Sequence, residues 1–170
     1  SLHDALPIWG FAELAGWAMG AEAHHVTNPE PTGTRAAEVI ARAMKLAKVT
    51  PRDVDYVNAH GTGTPLNDSM ESAALRAVLG AELSRIDVSS LKGHLGHTLG
   101  ASGAIEAVLS VLAIDRSVLL PTAGLTDPDT ACALKHVVTA ADKSLRAVIS
   151  NSFGFGGMDT SLVFAKPMEF

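Results

Sequence analysis

Hydrophobic positions change their spacing along the chain, and the changes mark its elements. From Phe11 to Ala21 aromatic and small residues mix around two glycines with no helix cap, which predicts a strand. A turn-rich loop with two prolines, His24–Gly33, follows. Between Thr34 and Lys48 the apolar residues Ala37, Val39, Ile40, Ala43, Met44 and Ala47 fall on one face of a helix. Val54–Asn58 reads as a short buried strand, and Asp68–Leu79 as a second helix with Asp68 as its N-cap and Glu71 at the capping-box position. Ile86–Ser90 is a further strand. Ala101–Ile114 is a third helix, apolar almost all round and therefore expected to be buried. Beyond it come short extended pieces at Val118–Pro121, His136–Thr139, Ala147–Ser150 and Thr160–Ala165. Helices and strands alternate first and strands dominate later, the pattern of one α/β domain with a mixed sheet. The last two strands form an antiparallel hairpin through Gly154–Gly157.

Composition narrows the classes. Nearly half of the 170 residues are apolar, enough for a compact core. The net charge is −5 and the Lys and Arg residues are scattered, so no footprint for nucleic acid is present. No stretch approaches the ~20 apolar residues of a membrane-spanning helix. One cysteine, Cys132, cannot build an internal disulfide framework, which fits a reducing compartment and a cytoplasmic protein. Residues 1–8 (Ser-Leu-His-Asp-Ala-Leu-Pro-Ile) resemble the translated end of a sequencing-adaptor oligonucleotide joined to an open reading frame. They are read as a non-native leader, with the native domain expected over residues 9–170 and a front half lost upstream.

Three polar, glycine-bracketed segments each follow a predicted strand. They are Asn58-Ala-His-Gly-Thr-Gly-Thr-Pro65, Lys92-Gly-His-Leu-Gly-His-Thr-Leu-Gly-Ala-Ser-Gly103 and Asn151-Ser-Phe-Gly-Phe-Gly-Gly157. Ligands of open α/β sheets sit at the carboxyl ends of strands, so the three are expected to converge. Glycines allow close backbone approach, and imidazoles beside such backbone can donate hydrogen bonds to a developing oxyanion.

In order and spacing these segments resemble the motifs of the β-ketoacyl synthases, the KAS II-like condensing enzymes of fatty acid and polyketide synthesis. The resemblance covers residues 9–167. It implies the C-terminal half of a thiolase-like α/β fold, with a mixed five-stranded sheet flanked by helices. The nucleophilic cysteine belongs to the other half. It further implies a decarboxylative Claisen condensation of malonyl and acyl thioesters. His60 and His97 match the catalytic histidines that hold the malonyl thioester carbonyl, Lys92 matches the active-site lysine, and Glu106 its carboxylate partner. Thr62 and Thr64 match hydroxyls that bind phosphopantetheine. Phe153 and Phe155, with Gly154 and Gly156, match the oxyanion and gating turn. No cofactor is bound directly, phosphopantetheine arriving on the acyl carrier protein, and the full-length protein is expected to be a homodimer. One departure stands out. The family's common Gly-Gly-Thr-Asn is here Gly156-Gly157-Met158-Asp159, which places a charge near the gate.

Blander readings cover the other candidates. His3, His24, His25 and His136 lie outside the motifs and read as surface or core residues. His94 has no Cys or carboxylate near it in the chain, so no metal site is expected. No Gly-Lys-Ser/Thr follows the glycines of Gly93–Gly103, which counts against a phosphate loop. Cys132, in a polar loop with no basic partner, reads as incidental. Two relatives of different activity remain as rivals. A chain-length-factor-like subunit would pair with an active synthase without catalysing, yet it has no need of both histidines and Lys92. A thiolase would use a second cysteine near the C-terminus, where none is found.

Overall fold

The computed structural model describes residues 10–167, so the adaptor-like leader lies outside the described residues. The elements are β1 (Glu13–Ala21), α1 (Thr34–Ala47), β2 (Val54–Asn58), α2 (Pro65–Leu79), β3 (Asp87–Ser89), the single-turn α3 (Lys92–Leu95), α4 (Ser102–Arg116), β4 (Val118–Leu119), β5 (Lys135–His136), β6 (Ala141–Asp142), β7 (Ala147–Gly154) and β8 (Met158–Ala165). Six strands form a mixed sheet in the order β1-β8-β7-β2-β3-β5, and β4 pairs with β6 apart from it. The expected five-stranded sheet thus gains a sixth, two-residue edge strand, Lys135–His136, held parallel to β3. Strands β7, β2 and β3 run parallel, while β8 returns antiparallel between β7 and β1.

Parallel central strands are buried on both faces, and every residue of β2 is buried. One face packs on α1 and α2 through Val39, Ile40, Ala43, Met70 and Leu75, with Val57, Ile149 and Val163 below them. The other face packs on the end of α4 through Ala113 and Ile114, against Tyr56, Val148 and Phe164. Helix α1 lies so close to β1 that a Cβ on Gly16 would stand 2.4 Å from the Ala43 carbonyl oxygen.

Two sequence expectations are corrected. Helix α2 begins at Pro65, not Asp68, because proline needs no partner for its missing N–H in a first turn. Thr64 is its N-cap, so Asp68 falls inside the first turn and Glu71 forms no capping box. Helix α4 is not buried all round. Its small and polar face, Ser102, Glu106 and Ser110, turns inward, while Val108 and Leu112 are exposed. A helix against a strand is held close by small side chains, so the larger apolar residues are left facing outward.

Candidate functional site

The carboxyl ends of β2, β3 and β7 lie side by side, and the three glycine-bracketed segments leave the sheet there. His60 stands two residues beyond β2, and Lys92 opens α3 just beyond β3. His97 precedes α4, and Phe153 ends the buried part of β7. Convergence is direct. The His60 and His97 rings are 5.5 Å apart and nearly perpendicular, and Phe153 meets His60 edge-on at 5.7 Å.

Both imidazoles have their Nδ1 occupied. Lys92 Nζ is 3.3 Å from His60 Nδ1 and donates to Glu106 Oε1 at 2.6 Å. An ammonium only donates, so His60 Nδ1 accepts and the ring proton sits on Nε2. The Leu99 backbone N–H donates to His97 Nδ1 at 3.2 Å, and Ser102 Oγ lies 3.1 Å from the same nitrogen. That fixes the same tautomer in His97. Burial and the adjacent Lys92 charge push the His60 pKa down to about 3, and the same two causes lower that of His97. Two neutral rings therefore offer two Nε2–H donors, the arrangement that steadies a developing oxyanion without giving up a proton.

Burial raises the Glu106 carboxyl, while the Lys92 bond pulls it back. Both side chains are almost fully buried, so each compensates the other's charge. Glu106 comes from the inward face of α4, whose first turn passes beside Ser152. The hydroxyls of half-buried Thr62 and exposed Thr64 lie 2.8 Å apart at the edge of the site. Phe155 is 78% exposed at the tip of the β7–β8 turn, which Gly156 and Gly157 close with positive φ. Of the other candidates, His94 bonds the Pro121 carbonyl and His136 the Cys132 carbonyl. Both lie outside the cluster.

The comparisons with known proteins now decide the family. A profile of the β-ketoacyl synthase C-terminal domain matches residues 11–126. The chain belongs to the β-ketoacyl synthase family. It is 44% identical over 157 residues to 3-oxoacyl-[acyl-carrier-protein] synthase 2 of Synechocystis sp., covering 92% of this chain and 38% of the relative. Among solved structures it resembles a ketosynthase in complex with its type II polyketide acyl-carrier protein and bound to the hexaketide. That likeness has a TM-score of 0.90 at 34% identity, over 93% of this chain and 39% of the other. It also resembles a ketosynthase in complex with its chain length factor from Xenorhabdus doucetiae, with a TM-score of 0.83 at 35% identity, over 94% and 40%. The chain therefore spans about two fifths of these relatives, and its fold is the thiolase-like α/β fold of the ketosynthases.

Sequence reasoning missed one residue of this cluster. The Glu71 carboxylate is buried in α2 and accepts the backbone N–H of His60 at 3.0 Å, that of Gly61 at 2.9 Å and the Asn151 amide at 3.2 Å. It joins the first and third glycine-bracketed segments. Burial raises its pKa and the three donors oppose that. The capping-box spacing offered a local explanation for this carboxylate first.

Proposed function

We propose that the chain is the C-terminal half of a β-ketoacyl-acyl-carrier-protein synthase and performs the decarboxylation half of its condensation. The observation that carries this reading is the pair of neutral imidazoles, each with Nδ1 occupied and Nε2–H left to donate. When a malonyl thioester loses carbon dioxide, the electrons of the breaking C–C bond pass into an enolate on the thioester. His60 and His97 hold that oxygen, and the enolate carbon then attacks the acyl thioester carried on the other half's cysteine. The tetrahedral intermediate collapses with release of the thiolate.

Lys92 holds His60 in its tautomer, and Glu106 keeps the lysine in place. Thr62 and Thr64 meet the phosphopantetheine arm of the acyl carrier protein, so no cofactor need be bound by the synthase itself. Phe153 backs His60, and Phe155, between Gly154 and Gly156, gates the acyl site while its backbone N–H serves the oxyanion. In this reading the parent is a cytoplasmic homodimer making 3-oxoacyl thioesters for fatty acid or polyketide synthesis, and the isolated chain is inactive. Among the described residues no helix is long and apolar enough to cross a membrane, which accords with it.

The test is made on the full-length protein. His60→Ala and His97→Ala should each abolish carbon dioxide release from malonyl carrier thioester, while acyl transfer to the cysteine continues. Undiminished release in both variants would overturn the role of the imidazoles. A full-length protein without that cysteine would favour the chain-length-factor reading.

A further inference from the structure

Away from the imidazoles, two carboxyl groups are buried that the condensation does not use. Asp159 lies opposite Gly20 in the β8–β1 register, and Glu22 is two positions beyond Gly20, so both side chains point to the α1 face of the sheet. Gly20 leaves room between them, its own face being closed by Val39 of α1. Glu22 is 8% exposed and Asp159 1%. Glu22 Oε2 accepts the Glu30 N–H at 2.9 Å, but among the described residues Glu22 Oε1 and Asp159 Oδ2 have no hydrogen-bonding partner.

Among the described residues no salt bridge reaches either carboxyl. From β7 the neighbour of Asp159 is Phe153, and from β1 it is Gly20. Around Glu22 stand His24 and Glu30 of its own loop and Arg35 and Glu38 of α1. Arg35 is paired with Glu38 at 2.9 Å, and the Glu30 carboxylate is turned to Thr32 and Thr34. No group of three or more metal-binding side chains gathers there among the described residues, so a proton rather than a metal ion balances the pair. Two ionised carboxylates buried on one face of the sheet, each with an unmet oxygen, would repel.

The same residues anchor the turn that carries Phe155. The Glu22 N–H donates to the Gly157 carbonyl at 2.8 Å, and the Gly156 N–H donates to the Val26 carbonyl at 2.7 Å. We propose that Asp159 keeps its proton and donates it to the Glu22 carboxylate, and that this buried acid pair is a positioning device holding the Gly154–Gly157 turn against the chain following β1. The inference rests on the reading of that turn as the gate of the acyl site. With the proton in place, the Asp159 O–H donates to a Glu22 oxygen across the strands. When the proton leaves for solvent, the carboxylates repel and the turn loosens. Burial first and the Glu22 charge second raise the Asp159 pKa to about 7, in keeping with a proton retained near neutrality. The charge expected at Asp159 from the sequence is thus largely masked in mildly acidic solution, and Met158 is what the surface shows.

Amide hydrogen exchange of residues 154–158, corrected for intrinsic pH dependence, tests this in the full-length protein without substrate. In the native protein protection should fall about tenfold or more between roughly pH 6 and pH 8.5, as the local opening equilibrium shifts. Asp159→Asn, whose amide donates to Glu22 at any pH, should keep its protection throughout. Native protection that does not change with pH, or an equal loss in the variant, would overturn the proposal. If Asp159→Asn does not fold, the carbon-13 titration of the native Asp159 carboxyl decides. A midpoint near neutrality upholds the proton held on Asp159, and one in the ordinary carboxylate range refutes it. Exchange is read without turnover, so an inactive protein would count against the proposed function and leave this result standing.

Discussion

At the scale of single residues, the site works through what is attached to the far side of each imidazole. Glu71 acts one step further back, since its two oxygens meet three donors that belong to the segments carrying His60 and Phe153. Glu71→Gln keeps the volume but turns an NH2 group toward one backbone N–H. A buried donor left unmet costs about 1–3 kcal/mol, so a lowered denaturation midpoint is expected. Carbon dioxide release should fall with it, and an unchanged midpoint and rate would remove Glu71 from the site. Protonation of His60 bears on stability with a definite sign. Its native pKa is depressed to about 3 from an ordinary 6.5, so the unfolded chain binds more protons throughout that window. This contribution is complete above pH 6.5 and is lost as pH falls toward 3. Chemical denaturation at a series of pH values should show it, and the slope between pH 6.5 and 4 should shrink in His60→Gln.

At the scale of elements, the helices and the buried strands were legible because their periods are long and regular. Helix α1 ends one residue from its expected boundary and β2 has the expected bounds. What was not legible depended on partners distant in sequence. Asp68 and Glu71 satisfy a capping spacing, but Pro65 supplies an earlier start, and the Glu71 carboxylate is claimed by His60, Gly61 and Asn151 instead. In α4 hydrophobicity pointed to burial on all sides, whereas the Lys92–Glu106 pair and the contact of Gly103 with Ser152 require its small, polar face to turn inward. Helix α1 also packs very closely on β1. A Cβ on Gly16 would meet backbone of Ala43 and Ala47 at 2.4 and 2.6 Å, atoms that cannot rotate away. Gly16→Ala should therefore cost about 1–3 kcal/mol by overpacking, read as a fall in melting temperature. Gly63→Ala serves as the contrast, because nothing lies within 4 Å of its Cβ, although its positive φ adds strain of its own.

At the scale of the whole molecule, one side of the sheet is finished and the other is not. Helices α1 and α2 close the first face. On the α4 side Trp17 is 53% exposed, and Met19, Val108 and Leu112 are exposed with it. Leu95 and Leu99, beside the imidazoles, are exposed as well. Apolar area of this kind is characteristic of a surface that meets another protein surface. The isolated 170-residue chain should accordingly bind a hydrophobic dye such as ANS and self-associate in sedimentation, and Trp17→Lys with Leu112→Lys should reduce both. A monomeric chain that leaves the dye dark would contradict the reading of this face as one covered in the longer protein. The central claim is chemical, that two neutral imidazoles aim their Nε2–H groups at one thioester oxygen. Its most direct test is a crystal structure of the full-length protein with a non-decarboxylating malonyl thioester analogue. The account predicts the thioester carbonyl oxygen within hydrogen-bonding distance, about 2.7–3.2 Å, of Nε2 of both His60 and His97. A carbonyl turned away from either ring, or a ring presenting Nδ1 to it, would contradict the account.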